Sequence, residues 1–393
     1  MQVWMPVGQT DPRIDPTGSD AGEAMATTTE AEYLVVGGGV VGAAIAYGLL
    51  KAGHRTCLLD EGDDAFRAAR GNFGLVWVQG KGAGCADYAR WSVRAAREWA
   101  GFAASLEQIS GIDLQLQQQG GLHLCLNAEE VEVRRAELQS AAAIVGEPYP
   151  YEILDAAALR AYLPEVGPEV VGGSFSPMDG HVSPLRLLRA LHQGIKVLGG
   201  QLRSGFHIDR IVKQGDAYVA HGPAGSVGGA RVVLAAGLGN RELAPMVGLE
   251  APVVPVRGQV LICERARPFL PLPTLQVRQT GDGGVQIGDS KENVGMNDAT
   301  SVDQLSRIAA RALKCFPVLA NLNVVRTWGA LRVMSPDGLP MYQESCACPG
   351  AYLVSCHSGV TLASVHAGAL VEWLTGGARP APLDSFSTDR FHV

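Results

Sequence analysis

The stretch Tyr33–Asp60, reading YLVVGGGVVGAAIAYGLLKAGHRTCLLD, constrains the fold of this chain more than any other. A short apolar run, Tyr33 to Val36, suits a buried strand. Gly37, Gly39 and Gly42 follow in the order G-x-G-x-x-G, and an alanine-rich helical pattern then runs to about Lys51, with Gly53 as its stop signal. A second apolar run, Thr56 to Leu59, ends at Asp60. Strand, glycine turn, helix, strand and acid together make the dinucleotide-binding βαβ unit. Gly37 allows the tight turn, Gly39 lets the backbone approach a pyrophosphate, and Gly42 lets the helix pack close to the strand. With Gly38, Val40 and Val41 they present free N–H groups and the positive end of a helix dipole to phosphates. Asp60 can accept hydrogen bonds from an adenosine ribose. The same unit serves NAD and FAD, so the choice between them rests on the rest of the chain.

The chain has 393 residues, 47% of them hydrophobic and 18% charged, with a formal net charge of −7. Such a length admits two domains or one large two-lobed one around a sizeable core. No dense basic patch appears, which argues against nucleic acid. No apolar run reaches the roughly 18 residues of a candidate membrane span. Eight cysteines are scattered without a C-x-x-C pair. Cys346 and Cys348 stand one residue apart, the wrong spacing for a zinc knuckle or a disulfide redox motif. They read as reduced thiols of a cytoplasmic protein with no metal site and no iron–sulfur cluster of its own. Residues 1–30 are rich in Pro, Asp, Gly, Thr and Ala and lack the apolar core and basic start of a secretory signal. They read as a disordered leader outside the fold.

After Asp60 come Glu61 and a loop in which Arg67 and Arg70 are cations near the pyrophosphate side. Gly71, Asn72 and Gly74 permit close backbone approach there, and Leu75–Val78 re-enters the interior. Ala86–Gln108 carries a long helical pattern with Trp91 and Trp99 as core residues, and GIDLQLQQQGGLHLCL reads as strands. Ala128–Val145 is a charged amphipathic helix, and Tyr151–Leu163 a short helix that Asp155 can cap. Ser183 and Pro184 start a helix through His192. Arg203–Val212 reads as one strand. Val232–Leu234 is a buried strand followed by the small-residue turn Ala235-Ala236-Gly237, which implies something pressing on the backbone. From Val253 onward, period-two alternation and the turn Gly281–Gly284 suggest antiparallel hairpins, followed by a helix over Val302–Phe316. Tyr352–Ser355, a break at Gly359 and an alanine-rich helix over Thr361–Leu374 make a second strand–glycine–helix unit.

These pieces resemble the FAD-dependent amine and amino-acid oxidoreductase family typified by D-amino-acid oxidase, glycine oxidase and the sarcosine oxidases. The resemblance covers about residues 32 to 390 and is carried, in order, by VVGGGVVGAAIAYGLL, RGNFGLVW, DGHVSPLRLLRAL, VVLAAGLGN, PVRGQV, GDGGVQIGDSKENVGM, WGALRVMSPDGLP and HSGVTLA. GNFGLVWVQGKG and the shortened HSGVTLA are similar to the branch of FAD-containing β subunits of bacterial hydroxyproline and opine dehydrogenases. The resemblance implies an α/β (α+β) fold: a Rossmann-like FAD-binding domain with a discontinuous substrate domain built on a large antiparallel sheet. Residues 31–75, 200–250 and 326–393 would form the first, and 76–199 and 251–325 the second.

The implied cofactor is FAD, and the implied reaction is oxidation of an amino-acid C–N bond to an imine by hydride transfer to flavin N5. The flavin carries the hard step, so no nucleophile or metal is needed. The implied substrate is a cyclic or N-substituted amino acid, 4-hydroxy-D-proline first and opines such as octopine or nopaline second. A peroxide-forming oxidase, a non-catalytic FAD scaffold subunit and an NAD-dependent dehydrogenase are the competing readings. A dehydrogenase without iron–sulfur ligands implies partner subunits that carry further redox centres.

Arg332, after Trp328-Gly329-Ala330-Leu331, stands where relatives hold the substrate carboxylate, which a guanidinium grips bidentately. A surface pair with Asp337 is its alternative, and Val333 stands where relatives often have proline. His357, with Gly359, Val360 and Thr361, should meet the isoalloxazine, the backbone N–H groups and the helix from Thr361 stabilising the reduced ring. Glycine-oxidase-like relatives carry an arginine in this loop; here there is none. Val212, Ala236, Gly237 and Gly329 complete the implied cofactor contacts. His181 matches the region where some heteromeric sarcosine oxidases attach an additional FMN, which would lie at a subunit interface; a turn-stabilising role is its other reading. Lys81, Arg257 and Arg278 are further candidates for the active-site wall.

Overall fold

The computed structural model describes residues 29–62 and 68–392. The expected leader up to residue 28, and Arg67, lie outside the described residues. The first strand, β1 (Thr29–Val36), begins inside the stretch expected as leader. It leads through the glycine turn into α1 (Val40–Lys51) and β2 (Thr56–Asp60). β1 pairs in parallel with β2 and with Gly225–Leu234, which pairs in parallel with Ala351–Ser355. Gln201–Ser204 extends the sheet beyond β2, and Met341–Glu344 closes the other edge antiparallel. Tyr33–Val36, Cys57–Leu59, Val232–Leu234 and Ala351–Val354 are buried throughout, as central parallel strands covered on both faces must be.

One face is covered by helices. α1 packs against α2 (Ala86–Ser110), against Pro184–Val197 and against Ala363–Ala367 in a single apolar cluster that encloses Trp91 and Trp99. Close approach explains Gly48: a Cβ there would lie 2.3 Å from the Ala367 carbonyl oxygen. The helices of residues 86–110 and 184–197 thus pack on the nucleotide sheet, although they fall within the span expected for the substrate domain. Their apolar faces find α1 there. No described helix is long and apolar enough to cross a membrane, and the eight cysteines are all free.

The second half is antiparallel. Four strands run in the order Val277–Gln279, Gly284–Ile287, Val254–Arg265, Val324–Met334. A three-stranded sheet, Gly121–Cys125 and Glu152–Asp155 on either side of Gly172–Ser176, is joined to it by a bridge between Leu122 and Thr274. Through this bridge the strands form the extended sheet of the substrate half. The strand Val324–Met334 pairs with Val254–Arg265 along nearly its whole length, so residues 326–334 belong here and not to the nucleotide half.

Three local expectations change. Glu152–Asp155 is a strand, and the helix is only Ala156–Tyr162, with Asp155 Oδ1 accepting from the Ala158 N–H at 2.8 Å. Arg203–Val212 is two strands separated at Gly205, whose φ of +73° suits glycine. The helix expected over Thr361–Leu374 is Ala363–Ala367 and Ala369–Leu374, interrupted at Gly368.

Candidate active site

Backbone geometry builds the first pole of the site. A Cβ on Gly37 would lie 2.4 Å from the Ala235 carbonyl oxygen and 2.7 Å from Ala236 Cα, so the Ala235–Gly237 turn is what presses on the glycine turn. A Cβ on Gly42 would lie 2.0 Å from the Gly37 carbonyl oxygen. Around Gly39 the space is open, with Ala69 Cβ the nearest atom at 3.8 Å. No side chain caps α1 and no acid occupies its first turn, so its leading N–H groups remain available to an anion. Asp60 sits over this turn, its carboxylate accepting from the Gly38 N–H at 2.6 Å and the Gly62 N–H at 3.0 Å. His192, which carries no motif to mark it in the sequence, donates from Nε2 to the Gly38 carbonyl at 2.7 Å and steadies the turn. Glu61 beside it meets His207 at 3.1 Å. An uncapped helix start behind an open glycine fits the pyrophosphate of a dinucleotide.

The second pole lies against the first. A Cβ on Gly359 would lie 3.0 Å from Val41 Cγ2, in the first turn of α1. Had Gly39 and Gly359 fallen at opposite ends of the molecule, no one ligand could bridge them. Thr361 Oγ1 accepts from the Trp77 N–H at 3.2 Å and donates to the Leu75 carbonyl at 3.3 Å. Trp99 Nε1 donates to the carbonyls of Val360 and Thr361 at 3.1 and 3.0 Å. Residues 75–77, 357–361 and the start of α1 are therefore one wall. Asn72 Oδ1 accepts from the Gly74 N–H at 2.7 Å, and Trp328 Nε1 donates to the Gly71 carbonyl at 3.3 Å, which ties the antiparallel sheet to this loop. Arg70, exposed at the loop's start, opposes Asp60 at His192: the guanidinium disfavours the protonated imidazole and the carboxylate favours it.

The expected helix dipole is reduced to the five residues Ala363–Ala367. A cation enters instead from elsewhere: Lys81 Nζ donates to Ser358 Oγ at 2.5 Å, and Tyr88 OH shares the same hydroxyl at 2.6 Å. Burial lowers the lysine to about 8. His357 next to Ser358 is pushed down to about 3, first by burial and then by the charges of Lys81, Arg332 and Lys291. Its imidazole is neutral at any working pH.

Arg332 does not pair with Asp337, which Arg390 holds at 2.7 Å. Its guanidinium crosses Gly258 to the Ser290 carbonyl at 2.7 Å and to the carboxylate of Asp289, an exposed residue. Val333, at the position noted for proline, packs into the core behind the nucleotide sheet. Arg257 is engaged by Glu292 at 2.7 Å and the Ala299 carbonyl at 2.6 Å, a structural role. Arg278 is buried beneath Gly74, donating to Gln286 at 2.6 Å and the Val182 carbonyl at 3.1 Å, with its charge over the Phe73 ring.

Three candidates leave the set. Val212 faces Val219, which faces Gly228, whose neighbouring strand position on β1 is Thr29, at the far end of that strand from Gly37. Gly329 makes room for chain and not for cofactor, since a Cβ there would lie 2.3 Å from the Asp298 carbonyl oxygen. His181 is buried, with Nε2 on Gln117 at 2.9 Å and Nδ1 facing Arg278 at 3.3 Å. Both ring nitrogens are engaged away from the surface, so the turn-stabilising reading fits and the interfacial FMN bond does not.

The family model described as "FAD dependent oxidoreductase", DAO, matches residues 32–373. An opine oxidase subunit of Agrobacterium tumefaciens (strain Ach5) is 42% identical over 365 residues, which are 93% of this chain and 98% of that protein. Its counterpart in the opine oxidase of Rhizobium meliloti is 40% identical over 92% of this chain and 98% of its own length. Among solved structures, glycine oxidase from Geobacillus kaustophilus superposes with a TM-score of 0.85 at 22% identity, covering 92% of this chain and 98% of the other, a likeness of fold. A match across so much of the chain, onto a cradle shaped for a dinucleotide, makes this protein a member of the DAO family of FAD-dependent oxidoreductases.

Proposed function

We propose that the chain oxidises the C–N bond of an N-substituted amino acid as the flavin-bearing subunit of a heteromer, with an opine as substrate ahead of 4-hydroxy-D-proline. The two relatives named as opine oxidase subunits, at 42% and 40% identity across 98% of their lengths, weigh toward the opine and toward partner subunits. FAD, when bound, supplies the hydride acceptor. The observation that carries the reading is the electrostatic relation of Arg332 to His357: a guanidinium suited to a carboxylate acts on an imidazole that stays neutral. The guanidinium would take the substrate carboxylate in exchange for Asp289, whose exposed side chain can turn to water. A neutral imidazole can accept a hydrogen bond from the amine without repelling it. The Trp99-anchored segment 360–361 would hold the wall against which the substrate carbon is oriented.

Anaerobic mixing of the purified flavoprotein with opines, 4-hydroxy-D-proline and other imino acids tests this. Bleaching by an opine supports it, and a flavin that stays oxidised with every N-substituted amino acid sinks it. Rapid reoxidation in air would mark a peroxide-forming oxidase in place of a dehydrogenase.

A further inference from the structure

We infer that the guanidinium of Arg278, packed against the backbone of the loop 71–76 with no anion of its own, is a fixed positive charge that stabilises the reduced form of the bound cofactor. The inference goes beyond the substrate reading: it needs FAD against the wall built by residues 75–77 and 357–361, and it holds whichever amine is oxidised.

Arg278 lies on the strand Val277–Gln279 and is 2% exposed. Nε donates to Gln286 Oε1 at 2.6 Å, and Nη1 donates to the Val182 carbonyl at 3.1 Å and to His181 Nδ1 at 3.3 Å. His181 accepts there as the neutral tautomer whose Nε2 proton goes to Gln117 Oε1 at 2.9 Å. The segment Asp179-Gly180-His181-Val182 thus holds this guanidinium in place. A guanidinium has five N–H donors, and among the described residues the two on Nη2 meet no acceptor. No described carboxylate bonds to Arg278 or acts on it. The other cations of the site differ: Arg332 has Asp289, Arg257 has Glu292, and Lys81 has Asp179 acting on it. Burial pulls Arg278 down to about 9, which leaves it charged at neutral pH. An enclosed charge without a counter-charge is costly, and no partner diminishes its field.

That field falls on the wall. A Cβ on Gly74 would lie 3.1 Å from Arg278 Cζ and 2.4 Å from the Val182 carbonyl oxygen, so no side chain separates the guanidinium from the loop backbone. Just beyond Gly74, the Leu75 carbonyl and the Trp77 N–H hold Thr361. Phe73, whose ring centre lies 5.8 Å from the charge, rests against Gly288, the neighbour of the Asp289 that holds Arg332. A hydride carries two electrons and one proton from the substrate C–H to flavin N5, leaving the ring one unit more negative and the substrate an iminium. A cation already fixed in a dry wall lowers the energy of the reduced ring without reorganising.

The test reads the two-electron midpoint potential of the purified holoenzyme, poised against a reference dye with no amine present. Arg278→Met should weaken the reduction equilibrium at least about tenfold, a fall of about 30 mV. Arg278→Lys keeps a charge and should stay within about threefold of the parent. Gln286→Glu supplies the missing carboxylate beside Nε with the side chain's shape kept, and should lower the potential as Arg278→Met does. It carries the test if Arg278→Met fails to fold or loses FAD. Gln286→Leu removes the hydrogen bond and no charge, and should keep the parent's potential. An unchanged potential in either charge-cancelling variant, or an equal fall in Arg278→Lys or Gln286→Leu, would show that Arg278 only braces the strands and would overturn the inference. Because no amine enters the measurement, a flavin that no N-substituted amino acid reduces would remove the proposed function alone.

Discussion

The two poles of the site are made of different material. The glycine turn and the start of α1 are backbone, supplied by one contiguous stretch and packed at Gly37 and Gly42 too closely for an added carbon. The facing pole is made of side chains: the cations Lys81 and Arg332, held on Ser358 and the Ser290 carbonyl, both act on the neutral imidazole of His357. A backbone site of this kind suits the phosphates of a dinucleotide. A side-chain site is where relatives can diverge in substrate while keeping the fold.

The largest expected effect tests the backbone pole. Gly42→Ala places a Cβ 2.0 Å from a carbonyl oxygen and must push α1 off the strand. Overpacking of this kind costs about 1–3 kcal/mol or more, and we expect lost FAD together with a lower Tm. Gly39→Ala meets nothing closer than 3.8 Å, so it should fold as the parent does and lose FAD affinity alone. Bound flavin per chain and Tm, measured on both, separate scaffold from cradle; equal Tm losses would erase the distinction.

The next effect tests the charged pole. Arg332→Ala should raise KM strongly, by about 1.5–3 kcal/mol of carboxylate contact, with FAD content unchanged. Unaltered substrate kinetics would favour a scaffold subunit. Trp99→Phe keeps most of the packing and removes the single N–H that the Val360 and Thr361 carbonyls share. Val360 keeps the Ala363 N–H at 3.3 Å, so losing the shared donor should cost about 0.5–1.5 kcal/mol, read as a lower denaturation midpoint with unchanged slope.

The smallest effect concerns pH. Hydrogen bonds from Arg257, Ser290 and Gln259 lower Glu292 from 4.5 to about 2, and the neighbouring Ser290 carbonyl holds Arg332. The unfolded chain takes up this proton at a higher pH than the folded one. The stabilisation is therefore complete above 4.5 and fades as pH falls toward 2. Glu292→Gln should be less stable than the parent at neutral pH, with the gap closing through that window. A constant gap would mean that the charge contributes nothing.

The cradle was legible because its signals are local: Gly37, Gly39, Gly42 and Asp60 lie within one βαβ unit, and glycine spacing reports backbone geometry directly. Helix limits such as Ala128–Val145 followed from periodicity for the same reason. The reading of Val212 and Gly329 went astray because a residue's neighbour across a sheet depends on register, which a strand's own pattern does not state. The broken helix after Gly359 escaped because an alanine-rich run is equally helical with or without a kink at Gly368.

The amino-acid sequence by itself determined the nucleotide cradle, the kind of fold around it and the presence of Arg332 and His357. Only the tertiary structure decided that Arg332 faces Asp289 and not Asp337, that Lys81 reaches Ser358, and that Gly359 rests on Val41. The physical reason is range. Backbone conformation is set by neighbours in the chain, whereas the pairing and burial of a charge depend on whatever distant segment folding brings beside it.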